Sequence, residues 1–193
     1  MDLVSLVIAI SYLGVFGIIF AETGFLFGFF LPGDSLLIAL GLVSATGRLD
    51  LSYGLLAVFA GSLLGHNLGY IWGRALGPTI EKRVDAERYQ KARELYQRFG
   101  LLTITLGPFI PYVRPLIPFM AGAFKVRWVV FFLLNLVGTL AWTQGITLAA
   151  YWVARRVPWF QTYLEESIVT VVAVALVLGV VLELARRQKQ QQA

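Results

Sequence analysis

The sequence predicts an all-α integral membrane protein built as a single membrane domain, residues 1–193. It predicts four spanning helices and two re-entrant helical hairpins, arranged as an inverted repeat, with one amphipathic helix on the cytoplasmic surface. Hydrophobic residues make up 58% of the chain and charged residues 14%, whereas soluble domains average about 45–50% and 25%. The apolar residues also fall into runs long enough to cross a bilayer. Two of these runs are broken in the middle by proline and a charged residue.

Four runs predict spanning helices: 3–21, 51–73, 128–154 and about 165–185. Each approaches or exceeds the roughly 20 residues that an α-helix needs to cross the hydrocarbon layer. The first run is interpreted as a span and not as a signal peptide. Asp2 stands where a signal peptide carries basic residues, and no clear small-residue cleavage site follows.

The two broken runs predict re-entrant hairpins at about 22–47 and about 101–124. The first is cut by Pro32, Gly33 and Asp34, and the second by several prolines and Arg114. Proline removes a backbone N–H and clashes with the preceding helical turn. Broken backbone survives at membrane depth only inside protein or beside a cavity. A kinked spanning helix is the alternative.

The two hairpins resemble each other. Residues 29–41 (FFLPGDSLLIALG) are similar to residues 109–122 (FIPYVRPLIPFMAG), and a helix carrying Asn67 or Asn135 follows each. Broken segments at corresponding positions of two halves are typical of a transporter whose site lies between the repeats.

Two basic segments set the predicted orientation. Residues 86–99 predict an amphipathic helix lying on the membrane surface, and residues 186–193 form a basic tail. The positive-inside rule places both in the cytoplasm, so both termini are expected there, with anionic lipid at the basic surface. The net charge of +5 is therefore assigned to topology and lipid contact, and no nucleic-acid partner is expected.

Glycine recurs every fourth residue in the third run, at Gly61, Gly65, Gly69, Gly73 and Gly77. Such spacing lets two helices approach closely, so this glycine stripe predicts helix packing and not a ligand site. The stripe could pack within one chain or between two, so a homo-oligomer remains possible at this point.

The informative charges are Glu22, Asp34 and Arg114, each within or at the edge of an apolar run. A charge at bilayer depth costs about 2.5–3.5 kcal/mol even on lenient scales, so it is usually paired, hydrated or functional. Neutrality favours one arginine with one carboxylate, which leaves Glu22 or Asp34 to carry a coupling proton. Arg114 has the planar fork of donors that binds phosphate. The alternative is a static ion pair that locks the hairpins together.

Further candidates for substrate contact are His66, Tyr70 and Asn135. His66 and Tyr70 lie in a polar row with Ser62 and Arg74, four residues apart. The alternative readings are a hydrogen-bonded interior histidine, and an asparagine that joins two helices.

Several enzyme classes are excluded by the residue types. The chain has no Cys and one His, and it lacks the H-E-x-x-H, G-x-S-x-G and Walker A motifs. The sequence therefore predicts no enzyme activity, no cofactor and no metal site.

Four blocks together resemble the DedA family, also called the SNARE-associated or VTT-domain superfamily, over roughly residues 10–185. They are ETG at 22–24 with FLPGDSLL at 30–37, GHNLGYIWGR at 65–74, FIPYVR at 109–114 with Pro118 and Ala121-Gly122, and NLVG at 135–138 with Trp142. The resemblance implies a multi-pass lipid transporter of the bacterial inner membrane, linked to the proton-motive force, that moves undecaprenyl phosphate or a phospholipid such as phosphatidylethanolamine. Glu22 and Asp34 match the family's acidic positions, and Arg114 matches the second of its two essential arginines.

The sequence departs from the family pattern at two positions. His66 stands where the family usually has Asp, and Pro108 where it usually has Arg. The two losses are of opposite charge, and one fewer arginine weakens the expected phosphate clamp. Two other hypotheses stay open: a small-ion or drug/proton exchanger that uses the same carboxylates, and a non-transporting membrane scaffold that recruits partners through helix 86–99.

Overall fold

A computed structural model of the chain describes residues 3–26, 28, 31–83, 90, 94, 100, 102–111 and 113–157. These residues form helices and turns and contain no strand. The helices are α1 (Leu3–Gly24), α2 (Gly33–Ala45), α3 (Leu51–Arg83), α4 (Leu116–Ala123) and α5 (Trp128–Arg156). Residues 102–106 are also helical, and a 3₁₀ turn, Gly107–Phe109, follows them.

The chain divides into two compact units, Met1–Trp152 and Val153–Ala193. All the packing and the candidate site considered below belong to the first unit. The described part of the second unit is 153–157, where α5 ends.

The long helices lie where the uninterrupted apolar runs predicted them, with later ends. α1 ends at 24 instead of 21, α3 at 83 instead of 73, and α5 at 156 instead of 154. The segments 51–79 and 128–156 are long and apolar enough to cross a membrane. At 1.5 Å per residue the 33 residues of α3 reach about 50 Å, well beyond a hydrocarbon layer of roughly 30 Å. The charged segment after Gly73 is therefore, as far as Arg83, part of the same helix.

Both broken runs interrupt the helix, but the first interruption comes earlier than predicted, because Gly33 and Asp34 belong to the first turn of α2. In the first, α1 ends at Gly24, the described residues up to Pro32 form bends and turns, and α2 begins at Gly33. No separate ingoing half-helix lies between α1 and α2 among the described residues, so this part of the predicted first hairpin differs from the structure. In the second, helix 102–106 and its 3₁₀ turn lead through further turns into α4. A fixed φ and a missing N–H at each proline explain the second interruption, whereas Pro32 explains only why no helix continues through to α2.

Three predicted elements fall largely or wholly outside the described residues. They are the amphipathic helix 86–99, of which Gln90 and Glu94 are described, the spanning helix at about 165–185, and the basic tail 186–193.

The glycine stripe packs within this chain, which is one of the two arrangements that the sequence left open. A Cβ at Gly65 would overlap Thr23 of α1, and one at Gly61 would lie 2.7 Å from the carbonyl oxygen of Phe16. Further along α3, a Cβ at Gly73 would overlap the carbonyl of Phe119 in α4. α3 therefore meets α1 with its first half and α4 with its second half, at backbone contact distance.

Related contacts recur in the two halves of the chain. Gly41 of α2 meets the backbone of α5 at Thr147, and Gly122 of α4 meets the backbone of α3 at Tyr70. In each case a Cβ in place of the glycine hydrogen would overlap a carbonyl oxygen. The short helix after each interruption thus packs against the long helix of the other half.

We expect Gly73→Ala to lower the free energy of unfolding by about 1–3 kcal/mol, since the added methyl group must push α4 away from α3. The matched control is Gly145→Ala, because Gly145 has nothing within 4 Å of its Cβ position and the alanine gains helix propensity of about 1 kcal/mol. SDS titration in mixed micelles measures both. Equal stability of the two variants would contradict this packing.

Candidate functional site

Arg114 lies in the turn before α4 and is 1% exposed. Its backbone N–H donates to the carbonyl of Ile110 at 2.9 Å, which closes the turn that follows the 3₁₀ segment. Prolines on both sides of this turn prevent a regular helix. The broken backbone therefore directs a guanidinium group into the interior of the first unit.

Three segments supply acceptors to the guanidinium group of Arg114. Nη1 donates to Oε1 of Glu22 at 2.8 Å, and Nη2 donates to Oδ1 and Oδ2 of Asp34 at 2.9 and 3.1 Å. Nε donates to the carbonyl oxygen of Pro108 at 2.7 Å. We call Glu22, Asp34 and Arg114 the ion cluster. Pro108 stands where the resembled family usually has an arginine, and here it contributes a backbone acceptor.

Trp142 of α5 completes the surroundings of the ion cluster. Its indole N–H donates to Oδ1 of Asp34 at 2.9 Å, and its ring lies 3.8 Å below the guanidinium carbon of Arg114. A cation over an indole face is attracted by the ring's quadrupole, and the attraction is larger when water is excluded. Trp142 is fully buried, so it fixes both charges at once.

Glu22 lies in the last turn of α1 and is buried. A Cβ at position 33 would overlap Oε2 of Glu22, so a side chain there would displace the carboxylate from this position. That Oε2 has no hydrogen-bond partner within the described part of the chain. One oxygen of Glu22 is therefore held by Arg114 and the other is available to a proton or a water molecule.

Asp34 is the exposed member of the ion cluster. Its side chain is 38% exposed, compared with 1% for Arg114 and 6% for Glu22. It lies in the first turn of α2, where the helix dipole favours a negative charge. Asp34 is therefore the member of the ion cluster that connects the buried Arg114 to the protein surface.

The charges of the ion cluster do not balance one to one. Neutrality led us to expect one arginine with one carboxylate, but Arg114 binds two. A fully ionised cluster would carry a net charge of −1. Holding one proton would make it neutral, which suits a buried site.

The other predicted residues form hydrogen bonds elsewhere. Nδ1 of His66 lies 3.1 Å from Oγ1 of Thr139, which in turn donates to Oδ1 of Asn135 at 3.2 Å. The Tyr70 hydroxyl donates to the carbonyl of Val126 at 2.6 Å. None of these described hydrogen bonds involves the ion cluster, and substrate contact by His66, Tyr70 and Asn135 remains a prediction.

Sequence reasoning missed two contributors to the site. Trp142 stands out in the sequence only through the family resemblance, although an indole N–H inside an apolar helix needs a partner and so signals a nearby acceptor. Gly33 stands out only as a break in an apolar run, and nothing in the sequence shows that its missing Cβ makes room for Glu22. Within the described ranges, no three His, Asp or Glu side chains gather as metal ligands would.

Comparison with known proteins gives a family match over most of the first unit. The model of the VTT domain matches residues 31–152. An uncharacterized membrane protein of Mycobacterium tuberculosis is 35% identical over 87% of this chain and 76% of its own length. The protein DedA of Escherichia coli is 31% identical over 92% of this chain and 84% of its own. The inner membrane protein YqjA of Escherichia coli is 31% identical, with 89% and 80% covered. No solved structure matches.

We expect Arg114→Gln to lower the free energy of unfolding by about 3–5 kcal/mol, because it leaves the buried carboxylate of Glu22 and the partly exposed carboxylate of Asp34 without a cation. Glu22→Gln should cost about 1 kcal/mol or less, since it removes the surplus charge and keeps an acceptor for Arg114. SDS titration in mixed micelles measures both variants. If Glu22→Gln proves as damaging as Arg114→Gln, the cluster does not hold a proton at Glu22.

Proposed function

Because this chain belongs to the VTT-domain family of membrane proteins, which includes DedA and YqjA, we propose that it carries a phosphate-bearing lipid across the bacterial inner membrane. The lipid is undecaprenyl phosphate or a phospholipid such as phosphatidylethanolamine. The observation that carries the proposal is a buried arginine whose exposed neighbour is a carboxylate that an incoming anion can replace.

Phosphate suits the position that Asp34 now occupies. Both oxygens of the Asp34 carboxylate accept from one nitrogen, Nη2 of Arg114, and an oxygen of a phosphate group can accept from the same nitrogen. Trp142 holds the guanidinium plane in place through its stacked ring. A phosphate that enters therefore competes with Asp34 for Nη2 of an arginine that is already held in place.

A lipid suits the site because residues close to Glu22 and Arg114 in the sequence line an apolar groove. The groove has a volume of about 170 Å³. Gly24, two residues after Glu22, and Pro115, next to Arg114, both line it, together with Trp72 and Phe119. A hydrocarbon chain in or near this groove stays in contact with lipid while its phosphate group reaches Arg114.

Proton coupling follows from the charge balance of the ion cluster. A phosphate that binds Arg114 adds negative charge beside Glu22 and Asp34, and two like charges at close range oppose it. Binding is favoured if one carboxylate takes up a proton, and release is favoured when the proton leaves. Glu22 and Asp34 are thus the proposed proton carriers.

The proposed architecture is an inverted repeat of two re-entrant hairpins, with both termini in the cytoplasm. Asp34 and Arg114 hold matching places in the two similar segments, and they bind each other. Matching residues meet in this way near a pseudo-twofold axis. The reciprocal packing of Gly41 on α5 and Gly122 on α3 supports the same symmetry.

Vesicles that contain the purified protein and a fluorescent phosphate lipid test the proposal through chemical quenching of the outer leaflet. Arg114→Lys keeps the charge but loses the planar fork, so we expect the translocation rate to fall about tenfold, equivalent to ~1.4 kcal/mol. The matched control is Arg74→Lys, since Arg74 is exposed on α3, and its rate should equal that of the unaltered protein. Equal rates for both variants would refute the assignment.

The same vesicles test proton coupling. We expect the unaltered protein to respond to an imposed pH gradient and Glu22→Gln to lose that response, because glutamine cannot exchange a proton. Glu94→Gln is the control, since Glu94 is exposed and bonded to Gln90. An undiminished response in Glu22→Gln would exclude Glu22 as the carrier.

The exchanger hypothesis predicts a different outcome in this experiment. Two carboxylates on one arginine would also suit proton exchange against a soluble solute. A pH change inside the vesicles driven by a soluble solute, without any lipid translocation, would favour that hypothesis. Absence of both fluxes would favour the scaffold.

A further inference from the structure

Buried polar side chains follow one face of α5 next to the ion cluster. Asn135, Thr139, Thr143 and Thr147 recur every fourth residue and are at most 2% exposed. We call these four residues the α5 polar row. At 1.5 Å per residue it extends over about 18 Å, more than half of a typical hydrocarbon layer. Trp142, which bonds Asp34, lies next to this row on the same helix.

Several buried polar atoms in this region have no hydrogen-bond partner among the residues that the structure describes. They are Oε2 of Glu22, Oγ of Ser44, Oγ of Ser62, Nε2 of His66, Nδ2 of Asn135 and Oγ1 of Thr147. Native proteins leave few buried polar atoms unpaired, and those without a protein partner are commonly bonded to ordered water. Six such atoms in one helix bundle point to internal water.

The hydrogen bonds around His66 show which kind of partner is missing. The Thr139 hydroxyl has one proton and donates it to Asn135, so it must accept from Nδ1 of His66. Nε2 of His66 then carries a free lone pair, while the amide of Asn135 has a free donor. Water satisfies both, since it donates and accepts.

The unpaired atoms belong to four helices that pack together. The backbone carbonyl of Ser62 on α3 lies 3.5 Å from the hydroxyl of Thr23 on α1, the residue after Glu22. His66 is one turn further along α3 and contacts Thr139 of α5. The backbone carbonyl of Thr147 on α5 lies against Gly41 of α2, one turn from Ser44.

We propose that ordered water binds these six unpaired atoms, which we call the buried polar track, and passes protons to and from Glu22. His66 and Asn135 are then ligands of water and not of the lipid phosphate. A proton on Oε2 of Glu22 moves to an adjacent water molecule while a proton leaves that water for the next acceptor, so no charge accumulates along the track. The role in coupling rests on the proposed function, whereas the presence of water does not.

Radiolytic footprinting of the whole protein in nanodiscs, without substrate lipid, tests for the water. Hydroxyl radicals form on bound water and oxidise side chains beside it. His66 and Phe131 are equally buried, at 1% exposure, but Phe131 belongs to an apolar cluster with Ile104 and Ile117. We expect His66 to be oxidised severalfold faster than Phe131. Oxidation of His66 as slow as that of Phe131 would overturn the proposal.

Proton flux tests the second step. We expect Thr139→Val and Thr147→Val to slow dye-reported proton entry into vesicles severalfold, because each removes a hydroxyl group with little change of shape. Thr46→Val is the matched control, since Thr46 is exposed and bonds within its own turn. Unchanged flux in both interior variants would overturn the relay. If His66 is oxidised but no lipid moves, the proposed function fails and the track stands.

Discussion

The organising interaction of this molecule is a guanidinium group held away from water by acceptors from three separate segments. Arg114 can lie inside the first unit only because Glu22, Asp34 and the carbonyl of Pro108 share its donors. Each acceptor exists where a helix is interrupted or ends. The prolines and glycines that weaken the local helices are thus what allows the charge to be buried.

The rest of the first unit keeps these three segments together. The glycine stripe of α3 brings α1 and α4 to backbone contact, so that the end of α1 and the turn before α4 face each other. Two apolar clusters, one around Trp142 and Ile19 and one around Tyr70 and Phe131, stabilise the arrangement. Burial of an unpaired arginine would be strongly unfavourable, so the packing and the ion cluster depend on each other.

Much of this arrangement could be predicted from the sequence, because charge and proline are rare in apolar runs and each occurrence needs a reason. The helix positions, the two interruptions and the packing role of the glycine stripe followed from spacing alone. The attachment of Arg114 to both carboxylates did not, since neutrality favours a single pair. The fit of Glu22 over Gly33 and the α5 polar row depend on side chains that meet in three dimensions. The threonines of that row carry no charge and look apolar enough to belong to a spanning helix.

The length and position of α3 restrict how the molecule can change shape. One continuous helix touches α1 along its first half and α4 along its second half, without an interruption between them. A tilt of this rod displaces both contacts together, and glycine leaves no flexible side chains at the interface to absorb the movement. A change of shape within the first unit that tilts α3 is therefore expected to move α1 and α4 together as whole helices.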